Sequence, residues 1–415
     1  AGGAAAAGGG AGGGAAAGGA RGGGGAASGG VLHGLAKLRG VRPRTALLAA
    51  RPWSFPASVA PVLLGASLAF KLDDVFSPLC LCLATGCAVA VHAAGNLVNT
   101  YADYARGVDG RDSSDKTLVQ GALSPPQVRA LITAAYATGA LLGLPLIPLS
   151  RAPAGVLVGL LLAGAGSSYA YTAGPALKYR ALGDALIMAT FGPLLVSFSY
   201  VSQVGAASWT ALRASIPLAL QSGAILHANN ARDMVEDAAA GVDTLALRLG
   251  RRRSAVLYEL LLLAPYASVV WRAARTSTFA GLPLATLPAA LRLAADFRAG
   301  LAAGDAPLSA SLARMPMRTA KHAALFALLT TAGGVLPPST CSFWTAVSVF
   351  LGGRAAALAV AARARRLAGA HGTPILLRPR LLVRELRGAA LGGDGVLPAA
   401  AVPRVAGGGH NERIL

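Results

Sequence analysis

Apolar runs of roughly 20 residues recur along most of this chain and are separated by short polar connections. A run of about 20 apolar residues is long enough to cross the hydrocarbon core of a bilayer as a helix. We therefore predict an all-α, polytopic membrane protein in which neighbouring helices pack antiparallel across the short connections. The nine expected spans are 54–72, 78–100, 128–149, 154–172, 183–204, 211–230, 254–271, 278–295 and 320–338.

Small residues and prolines inside these spans bear on how the helices pack. Gly164, Gly166 and Ser167 are expected to let a neighbouring helix approach closely. Prolines are compatible with membrane helices because neighbouring helices can satisfy the backbone groups that a proline frees. Four prolines fall inside the expected spans: Pro193, Pro217, Pro265 and Pro283.

Amide and carboxylate side chains interrupt the apolar pattern near the end of the second span. Four of them recur at i, i+4, i+7 and i+11, so they form one polar stripe on a helix: His92, Asn96, Asn99 and Asp103. Further polar residues follow beyond the expected helix end: Asp109, Asp112, Asp115, Lys116 and Thr117. Polar groups at membrane depth are costly, so this stripe indicates a functional site.

A second stretch, ILHANNARDMVEDAAAG, has the same design. Asn229, Asp233 and Asp237 are spaced i, i+4 and i+8 on one predicted helical face, with Asn230 and Arg232 beside them. The chain contains 17 acidic residues, and eight of them lie in or just after the two stretches. Two acid-rich helix ends in an otherwise basic protein suggest one shared cation site.

The charge balance does not indicate a nucleic-acid-binding protein. The formal net charge is +20, but the lysines and arginines lie in the loops between apolar runs and in the tails, without interleaved aromatic residues. Lipid headgroups and anionic ligands are the expected partners. The four cysteines lie mostly in apolar surroundings and are expected to be packing residues.

The distribution of basic residues predicts the orientation in the membrane. Twenty-two lysines and arginines fall in the N-terminal segment and in the loops after spans two, four, six and eight, against five in the opposite loops. Positive charge concentrates on the cytosolic side, so the N-terminus and both acidic stretches are expected there.

The two ends of the chain differ from this central part. Residues 1–30 are almost entirely Gly and Ala and are expected to be disordered, and 31–52 form a basic juxtamembrane segment. The membrane domain is expected at 53–340. The basic tail, 341–415, has no assigned role; it contains one more apolar run, 343–362, which leaves a tenth span open.

The two stretches could hold magnesium against a diphosphate. Mg²⁺ prefers oxygen ligands and is usually bound by one or two carboxylates together with substrate phosphates. Lys116, Lys178 and Arg232 could neutralise the remaining phosphate charge. Ionisation of an allylic diphosphate would also need a water-free cavity with aromatic walls to shield the prenyl cation. Candidates for those walls are Tyr101, Tyr169, Tyr171, Phe191, Phe198 and Tyr200.

Less specific interpretations remain open for each of these residues. Asn and Asp at helix ends are often caps. His92 could serve only in helix packing, and tyrosines near span ends are commonly anchors at the membrane interface. The recurrence of two similar motifs on one predicted face favours the shared site.

Three segments resemble the UbiA superfamily of intramembrane prenyltransferases. GNLVNTYADYARGVD, followed by SSDKTLV, is similar to the first Asp-rich motif of that superfamily. HANNARDMVEDAAAGVDTLA is similar to the second, and YTAGPALKYRALGD to the loop between spans four and five. The resemblance covers about residues 45–337 and is strongest to the animal branch.

The resemblance implies a nine-helix bundle with a central cavity and cytosolic cap loops. It implies Mg²⁺ as cofactor, held by Asn99, Asp103, Asp109, Asp233 and Asp237, the four aspartates being catalytic. It also implies substrate-binding residues in both motifs and in the loop between them: Asn96, Asn99, Lys116, Tyr171, Lys178, Asn230 and Arg232.

The activity that the resemblance implies is transfer of a geranylgeranyl group from its diphosphate to menadiol, which gives menaquinone-4, a form of vitamin K2. Endoplasmic reticulum, Golgi and mitochondrial membranes are the implied location. Leu97 stands where many members carry Asp, and Asp109 lies six residues beyond Asp103 as in the naphthoquinone branch; both favour a quinol acceptor.

Three other functions remain open at this point. They are a ubiquinone-type transfer to 4-hydroxybenzoate, an isoprenoid- or sterol-sensing role with a regulatory membrane-protein partner, and, from a different class, a cation transporter. A transporter would be expected to have broken helices at the midplane, whereas these motifs lie at span ends.

Overall fold

The computed structural model describes residue 38 and residues 40–336, except 110–114, 277 and 304–307. Every regular element in this part of the chain is helical, so the expected all-α fold is confirmed. One isolated backbone bridge joins Arg180 to Asp243. The expected disordered segment 1–30, the tail 341–415 with its possible tenth span, and Asp112 lie outside the described residues.

Fourteen α-helices follow one another among the described residues. They are α1 Pro43–Ala49, α2 Pro56–Asp73, α3 Pro78–Ala105, α4 Pro125–Gly143, α5 Leu146–Leu149, α6 Ala154–Ala170, α7 Gly183–Ala189, α8 Leu195–Val204, α9 Trp209–Arg232, α10 Met234–Ala239, α11 Leu245–Arg275, α12 Leu287–Ala302, α13 Leu308–Ser311 and α14 Met315–Val335. A π-helical segment, Thr190–Leu194, joins α7 to α8. Three 3₁₀ segments are Pro52–Ser54, Leu177–Tyr179 and Thr278–Thr286.

Five helical stretches are long and apolar enough to cross a membrane: Pro52–Asp73, Pro78–Ala105, Pro125–Leu149, Gly183–Val204 and Leu245–Arg275. Shorter or more polar helices cover the other four expected spans. The protein is therefore an integral membrane protein with several spans, and the count of nine stays a prediction.

Local sequence signals explain where several long helices begin. Ser77 caps α3 by accepting a hydrogen bond from Cys80 N, and Pro78 occupies the first helical position. Ser124 and Gln127 form a capping box at the start of α4. Serine caps α9 and threonine caps α11 in the same way. These signals locate the helix starts without reference to tertiary contacts.

The helices pack with α2 in a central position. It contacts α3, α8, α9 and α14, so the first long helix packs against the last one. The main core lies between α2, α8, α9, α11, α12 and α14, and within it Tyr258 stacks on Phe297 with ring centroids 3.9 Å apart. A second core surrounds Cys87, Leu146 and Phe198. This arrangement leaves a cavity between the two cores.

Two of the expected spans differ from the helices that form. Helix α11 begins at Leu245, well before 254, and is kinked where Gly250 adopts φ +70°. The expected single helix at 278–295 is wrong: it is a 3₁₀ segment, Thr278–Thr286, followed by α12. Pro283 and Pro288 account for this break, because each removes a backbone donor and Pro288 suits the start of a new helix.

The close helix contacts occur at other glycines than expected. Gly164 and Gly166 have open space where a side chain would stand. At Gly65 of α2, an added Cβ would lie 2.5 Å from Val196 O and 2.7 Å from Ser199 Cβ of α8. Gly192 approaches Ala219 equally closely. The prediction for Gly164 and Gly166 is therefore wrong, because composition alone does not tell which face of a helix meets a neighbour.

The cysteines match the expectation only in part. Cys80 and Cys87 are buried in the second core, as expected for packing residues. Cys82 is exposed on the surface of α3. Cys341 lies outside the part of the chain that the structure describes.

Candidate active site

A cavity of about 1140 Å³ lies between α2, α3, α6, α8, α9 and α14. All residues predicted for the site line it: Asn96, Asn99, Asp103, Asp109, Lys116, Tyr171, Lys178, Asn230, Arg232, Asp233 and Asp237. The two acidic stretches, more than a hundred residues apart in the chain, thus meet around one space. Their roles in binding and catalysis stay predictions.

Asp103 is the best-connected carboxylate of the first motif. It lies in the last turn of α3 and is almost fully buried. Lys178 Nζ donates to Asp103 Oδ2 at 2.7 Å, and Tyr179 Oη donates to Oδ1 at 2.5 Å. Both partners come from the 3₁₀ segment Leu177–Tyr179, so this carboxylate ties the loop between α6 and α7 to α3.

The chain turns back over the cavity directly after Asp103. Gly107 adopts φ +70°, a conformation that favours glycine, and Val108 N donates to Asp103 O. This turn brings Asp109 to the cavity. Burial raises the pKa of Asp109 to about 6, and repulsion from Asp103 and Asp115 adds to the rise, whereas Lys178 and Arg51 oppose it.

The second motif crosses a helix break that the sequence pattern did not show. Helix α9 ends at Arg232, Asp233 is non-helical, and α10 begins at Met234. The expected continuous helical face through Asp237 is therefore wrong, although Asn229, Asp233 and Asp237 all line the cavity. Asp233 stands at the N-cap position of α10, but its carboxylate pairs with Arg232, both contacts being 2.6 Å.

Asp237 shows that the two motifs share one electrostatic environment. Burial raises the pKa of this carboxyl to about 7; Lys178 opposes the rise, and Asp233, Asp103 and Glu236 add to it. Asp103 acts in the same way on Asp109. Negative charge from α3 and from α10 is thus concentrated at one end of the cavity, where a cation would be stabilised.

Arg51 and Asp115 form a partly buried ion pair at the edge of this acidic end. Arg51 Nη2 lies 2.6 Å from Asp115 Oδ2, and Thr100 Oγ1 donates to the same oxygen. Burial favours a higher pKa for Asp115, but the charge of Arg51 and the hydrogen bonds from Thr100, Arg51 and Thr117 N outweigh it and hold the pKa at about 2. Both residues line the cavity.

Further contacts hold the loop between α6 and α7 over the cavity. Arg106 Nη1 donates to Thr172 O at 2.6 Å, and its guanidinium lies 4.4 Å from the ring centroid of Tyr179. The Arg180–Asp243 bridge joins the same loop to the segment after α10. Lys178 is therefore positioned from several sides.

Asn230 is held by a buried polar group that lies behind the cavity wall. Its Nδ2 donates to Asp184 Oδ2 at 3.2 Å. His227 Nδ1 lies 3.7 Å from the other oxygen of Asp184, and its Nε2 contacts Ser254 O at 3.2 Å. Asp184, on α7, thus connects the loop that carries Lys178 to the second motif.

Three of the six aromatic residues predicted for the cavity walls lie there: Tyr171, Phe191 and Phe198. The prediction is wrong for the other three. Tyr101 packs under Arg129, Tyr169 is half exposed, and Tyr200 is buried in the main core, where its hydroxyl bonds to Asp73. The position of an aromatic residue near a span end does not determine whether its side chain faces the cavity.

The cavity is apolar away from the acidic groups. Its walls there are formed by residues from five helices: Cys87, Ala88, Leu160, Leu161, Leu195, Phe198, Leu218 and Ala327. Cys87 lies 16 residues before Asp103 on α3, which corresponds to about 24 Å along the helix axis. The space can therefore hold an anionic headgroup at one end and a long apolar chain at the other.

Three residues that shape the site are not predicted from the sequence: Arg51, Tyr179 and Asp184. The sequence places Arg51 only in a basic segment. Tyr179 and Asp184 lie in the quoted segment YTAGPALKYRALGD, directly beside Lys178 and at its end. Asp184 could have been identified because it is a charged residue at the start of an otherwise apolar span.

The oxygen groups of the two motifs fit a metal ion that is shared with a diphosphate. Among the described residues, no three acidic, histidine or cysteine side chains converge on a ready-made metal site. The buried Asn99 Oδ1 and Glu236 Oε2, however, find no hydrogen-bond partner among these residues. Unsatisfied oxygens and mutually repelling carboxylates around one space suit Mg²⁺, which is usually bound jointly by carboxylates, waters and substrate phosphates.

Comparison with known proteins identifies similar sequences. Residues 58–305 match the sequence model of the UbiA prenyltransferase family. The chain is 42% identical over 292 residues to UbiA prenyltransferase domain-containing protein 1 of Danio rerio, covering 70% of this chain and 84% of that protein. It is 42% identical over 296 residues to the Homo sapiens protein of the same name, covering 71% and 84%.

Among solved structures, the fold is similar to the apo structure of a UbiA homolog from Aeropyrum pernix K1. The TM-score is 0.49 at 17% sequence identity, and the match covers 67% of this chain and 96% of that chain.

Proposed function

This chain belongs to the UbiA prenyltransferase family, and on that premise we propose that it transfers a geranylgeranyl group to menadiol, giving menaquinone-4. Membership of the family makes it a membrane-embedded prenyltransferase. The observation that carries the proposal is the meeting of the two acidic motifs at one end of a cavity whose other end is apolar. A prenyl diphosphate has the same division between an anionic headgroup and an apolar chain.

The donor diphosphate would bind at the acidic end. Asn99, Asp103 and Asp109 from one motif and Asp233 and Asp237 from the other are the proposed ligands of Mg²⁺. Bound Mg²⁺ supplies positive charge that stabilises the leaving diphosphate. These five side chains all line the cavity.

Basic and amide groups of the chain would orient the diphosphate. Lys178 pairs with Asp103, its charge also acts on Asp237, and it can contribute its ammonium to the phosphate oxygens. Arg51, Lys116 and Arg232 line the same end. The Asn230 amide is held in place by Asp184.

The apolar part would bind the prenyl chain and exclude water. As the bond between C1 and the diphosphate oxygen breaks, C1 becomes electrophilic and a ring carbon of the acceptor forms the new bond. The diphosphate leaves with the electron pair of the broken bond, and the ring proton passes to this anion, which restores aromaticity. Phe191 lies on the wall where it can shield the developing cation, and Phe198 lines the apolar part that holds the chain.

Substitution of one carboxylate from each motif tests the proposal. In membranes supplied with geranylgeranyl diphosphate, menadiol and Mg²⁺, Asp103→Asn and Asp233→Asn are each expected to lower product formation at least about hundredfold. Asp296→Asn is the matched control, because Asp296 pairs with Arg318 on the exposed surface, 2.5 Å apart. Full product formation by both motif variants would contradict the assignment of the site.

A panel of acceptors and donors tests the finer identity of the substrates. Menadiol is expected to be prenylated in preference to 4-hydroxybenzoate, and geranylgeranyl diphosphate in preference to shorter donors. Preference for 4-hydroxybenzoate would favour the ubiquinone-type alternative. We propose endoplasmic reticulum and Golgi membranes, with mitochondria, as the location, and cytosolic active-site loops; fractionation of cells expressing the full chain tests the location.

A further inference from the structure

Asn96 lines the cavity with its amide held in one orientation. Its Nδ2 donates to Ala50 O at 2.9 Å and to Ser54 Oγ at 3.0 Å. These two contacts use both hydrogens of the amide. Asn96 is half-buried, and the described contacts include none to its Oδ1. The two donated bonds direct the Nδ2 group toward α1 and the 3₁₀ segment. The carbonyl oxygen, an acceptor, therefore points away from them.

The hydroxyl of Ser54 makes this orientation rigid. Ser54 Oγ donates to Arg51 O at 2.8 Å, so it can act only as an acceptor toward its other neighbours. His92 Nε2 lies 3.2 Å from the same oxygen and must therefore carry the ring proton. His92 Nδ1 then accepts from Ser58 Oγ at 2.7 Å. The donors of Asn96, Ser54, His92 and Ser58 in this group thus each have an acceptor.

The position of Asn96 lies between the two functional parts of the cavity. It is three residues before Asn99 and seven before Asp103, so it lies about 10 Å below Asp103 along α3. One helical turn away, the ring of Phe191 meets His92 edge to face, with centroids 4.9 Å apart, and both Asn96 and Phe191 line the cavity. Phe191 belongs to the π segment, an irregularity that often occurs at functional sites.

An acceptor oxygen and an aromatic side chain on the same stretch of cavity wall fit a ligand that has an aromatic ring and a hydroxyl donor. We propose that Asn96 Oδ1 accepts a hydrogen bond from a hydroxyl of the aromatic acceptor substrate, with Phe191 beside the ring and with Ser54 and His92 as positioning residues. This inference rests on the proposed function and deepens it. Since a carbonyl cannot donate, the site selects the reduced quinol over the oxidised quinone.

Comparing menadiol with its methyl ethers tests the contact, because methylation removes the donor hydrogen and keeps the ring. Wild-type protein is expected to prefer the diol by about tenfold, the effect of one lost hydrogen bond. Asn96→Ala should raise the KM for menadiol about tenfold and abolish that preference, while the KM for geranylgeranyl diphosphate changes less than about twofold. The preference is a ratio within one preparation and does not depend on the folded fraction.

Two further variants separate positioning from general damage. Ser54→Ala removes one anchor of the amide and should weaken the diol preference by an intermediate amount. Gln203→Ala is the matched control, since Gln203 is a buried amide bonded to the Ser77 backbone and lies outside the cavity. It is expected to lower the yield of folded protein and to leave the diol preference intact.

The outcomes distinguish this inference from the proposed function. Retention of the diol preference by Asn96→Ala, or an equal rise of both KM values, would overturn the inference alone. Equilibrium binding of the diol and its ethers gives the same comparison without turnover. Wild-type protein that binds the diol in preference to the ethers but transfers no prenyl group would contradict the proposed function alone.

Discussion

Asp103 is the residue on which the two motifs converge. It accepts from Lys178 and Tyr179, and its charge acts on both Asp109 and Asp237. A buried carboxylate with this many partners is expensive to disturb, because removal of one partner leaves charge without compensation. The effects of single substitutions around it are therefore expected to be large.

Lys178→Met is expected to lower kcat/KM for the prenyl diphosphate at least about thirtyfold, because loss of one member of a buried charge pair costs a few kcal/mol. Lys178→Arg should retain part of the activity. Steady-state kinetics with varied donor and fixed acceptor check both values. Lys71→Met, on an exposed position at the other end of the bundle, is the control; equal effects of the two methionine variants would contradict a specific role for Lys178.

Asp115 predicts a dependence of stability on pH. Its pKa is about 2 in the folded protein and near 3.8 when unperturbed, so the folded state binds the proton more weakly. A lowered pKa stabilises the folded state above the unfolded pKa, and this stabilisation is lost as the pH falls through the folded value. Wild-type protein should therefore have a Tm a few degrees above that of Asp115→Asn at pH 7.

Thermal unfolding in detergent between pH 7 and pH 2 measures this difference. The gap between wild type and Asp115→Asn should stay constant down to about pH 5 and close between about pH 4 and pH 2. A gap that widens as the pH falls would contradict the ion pair of Asp115 with Arg51.

At the scale of elements, two places along the cavity wall depart from regular α-helical geometry. The π segment precedes α8, and Asp233 separates α9 from α10. Each departure changes the direction of the side chains around it. Residues at both places line the cavity. Regular helices such as α2 and α8 instead approach each other closely at glycine.

Gly65→Ala and Gly159→Ala form a matched pair that tests this packing. An added methyl at Gly65 would overlap Val196 O, whereas Gly159 has open space around it. Gly65→Ala is expected to destabilise the protein by about 1–3 kcal/mol. Gly159→Ala should be neutral or slightly stabilising because alanine favours helix. Detergent unfolding curves compare them, and equal stability of both variants would contradict the α2–α8 contact.

At the scale of the whole molecule, helices distant in sequence close around one cavity with a polar and an apolar end. The acidic end is covered by the turn after α3, by the loop between α6 and α7, and by α10. All three are connections rather than spans. Their common position requires that they lie on the same side of the membrane.

Cysteine labelling tests this topology in a background with the native cysteines replaced by serine. Arg252→Cys, in a predicted cytosolic segment, should react with an impermeant reagent applied from the cytosolic side. Ala207→Cys, in a loop of the opposite end, should react only after permeabilisation. Both positions are exposed. Labelling of both from one side would contradict the predicted orientation.

Metal removal tests the shared ion site without relying on turnover. Mg²⁺ added together with a prenyl diphosphate should raise the Tm of wild-type protein, because ligands that bind only the folded state stabilise it. The shift should disappear with a chelator and in Asp103→Asn. If the Tm rises as much with a chelator present and in Asp103→Asn as it does in wild-type protein with Mg²⁺, binding requires neither divalent ions nor this carboxylate.

Much of the fold was accessible from the sequence because its determinants are local. Apolar runs, Ser and Thr caps and the first position of Pro78 predict where long helices lie and begin. Polar spacing likewise placed Asn99 and Asp103 on one face of α3. Both motifs carry this local signal, so the shared acidic site could be anticipated.

What the sequence did not determine depends on contacts between distant segments. Pairing of Arg51 with Asp115, the inward position of Phe191 rather than Tyr200, and the close approach at Gly65 all follow from how helices are rotated against one another. The sequence by itself determined the helical membrane class and the two groups of oxygen-bearing side chains. Only the tertiary structure decided which side chains face the cavity. The direction of a side chain relative to the cavity depends on how separate helices pack against one another, whereas the periodicity within one helix only groups residues on a common face.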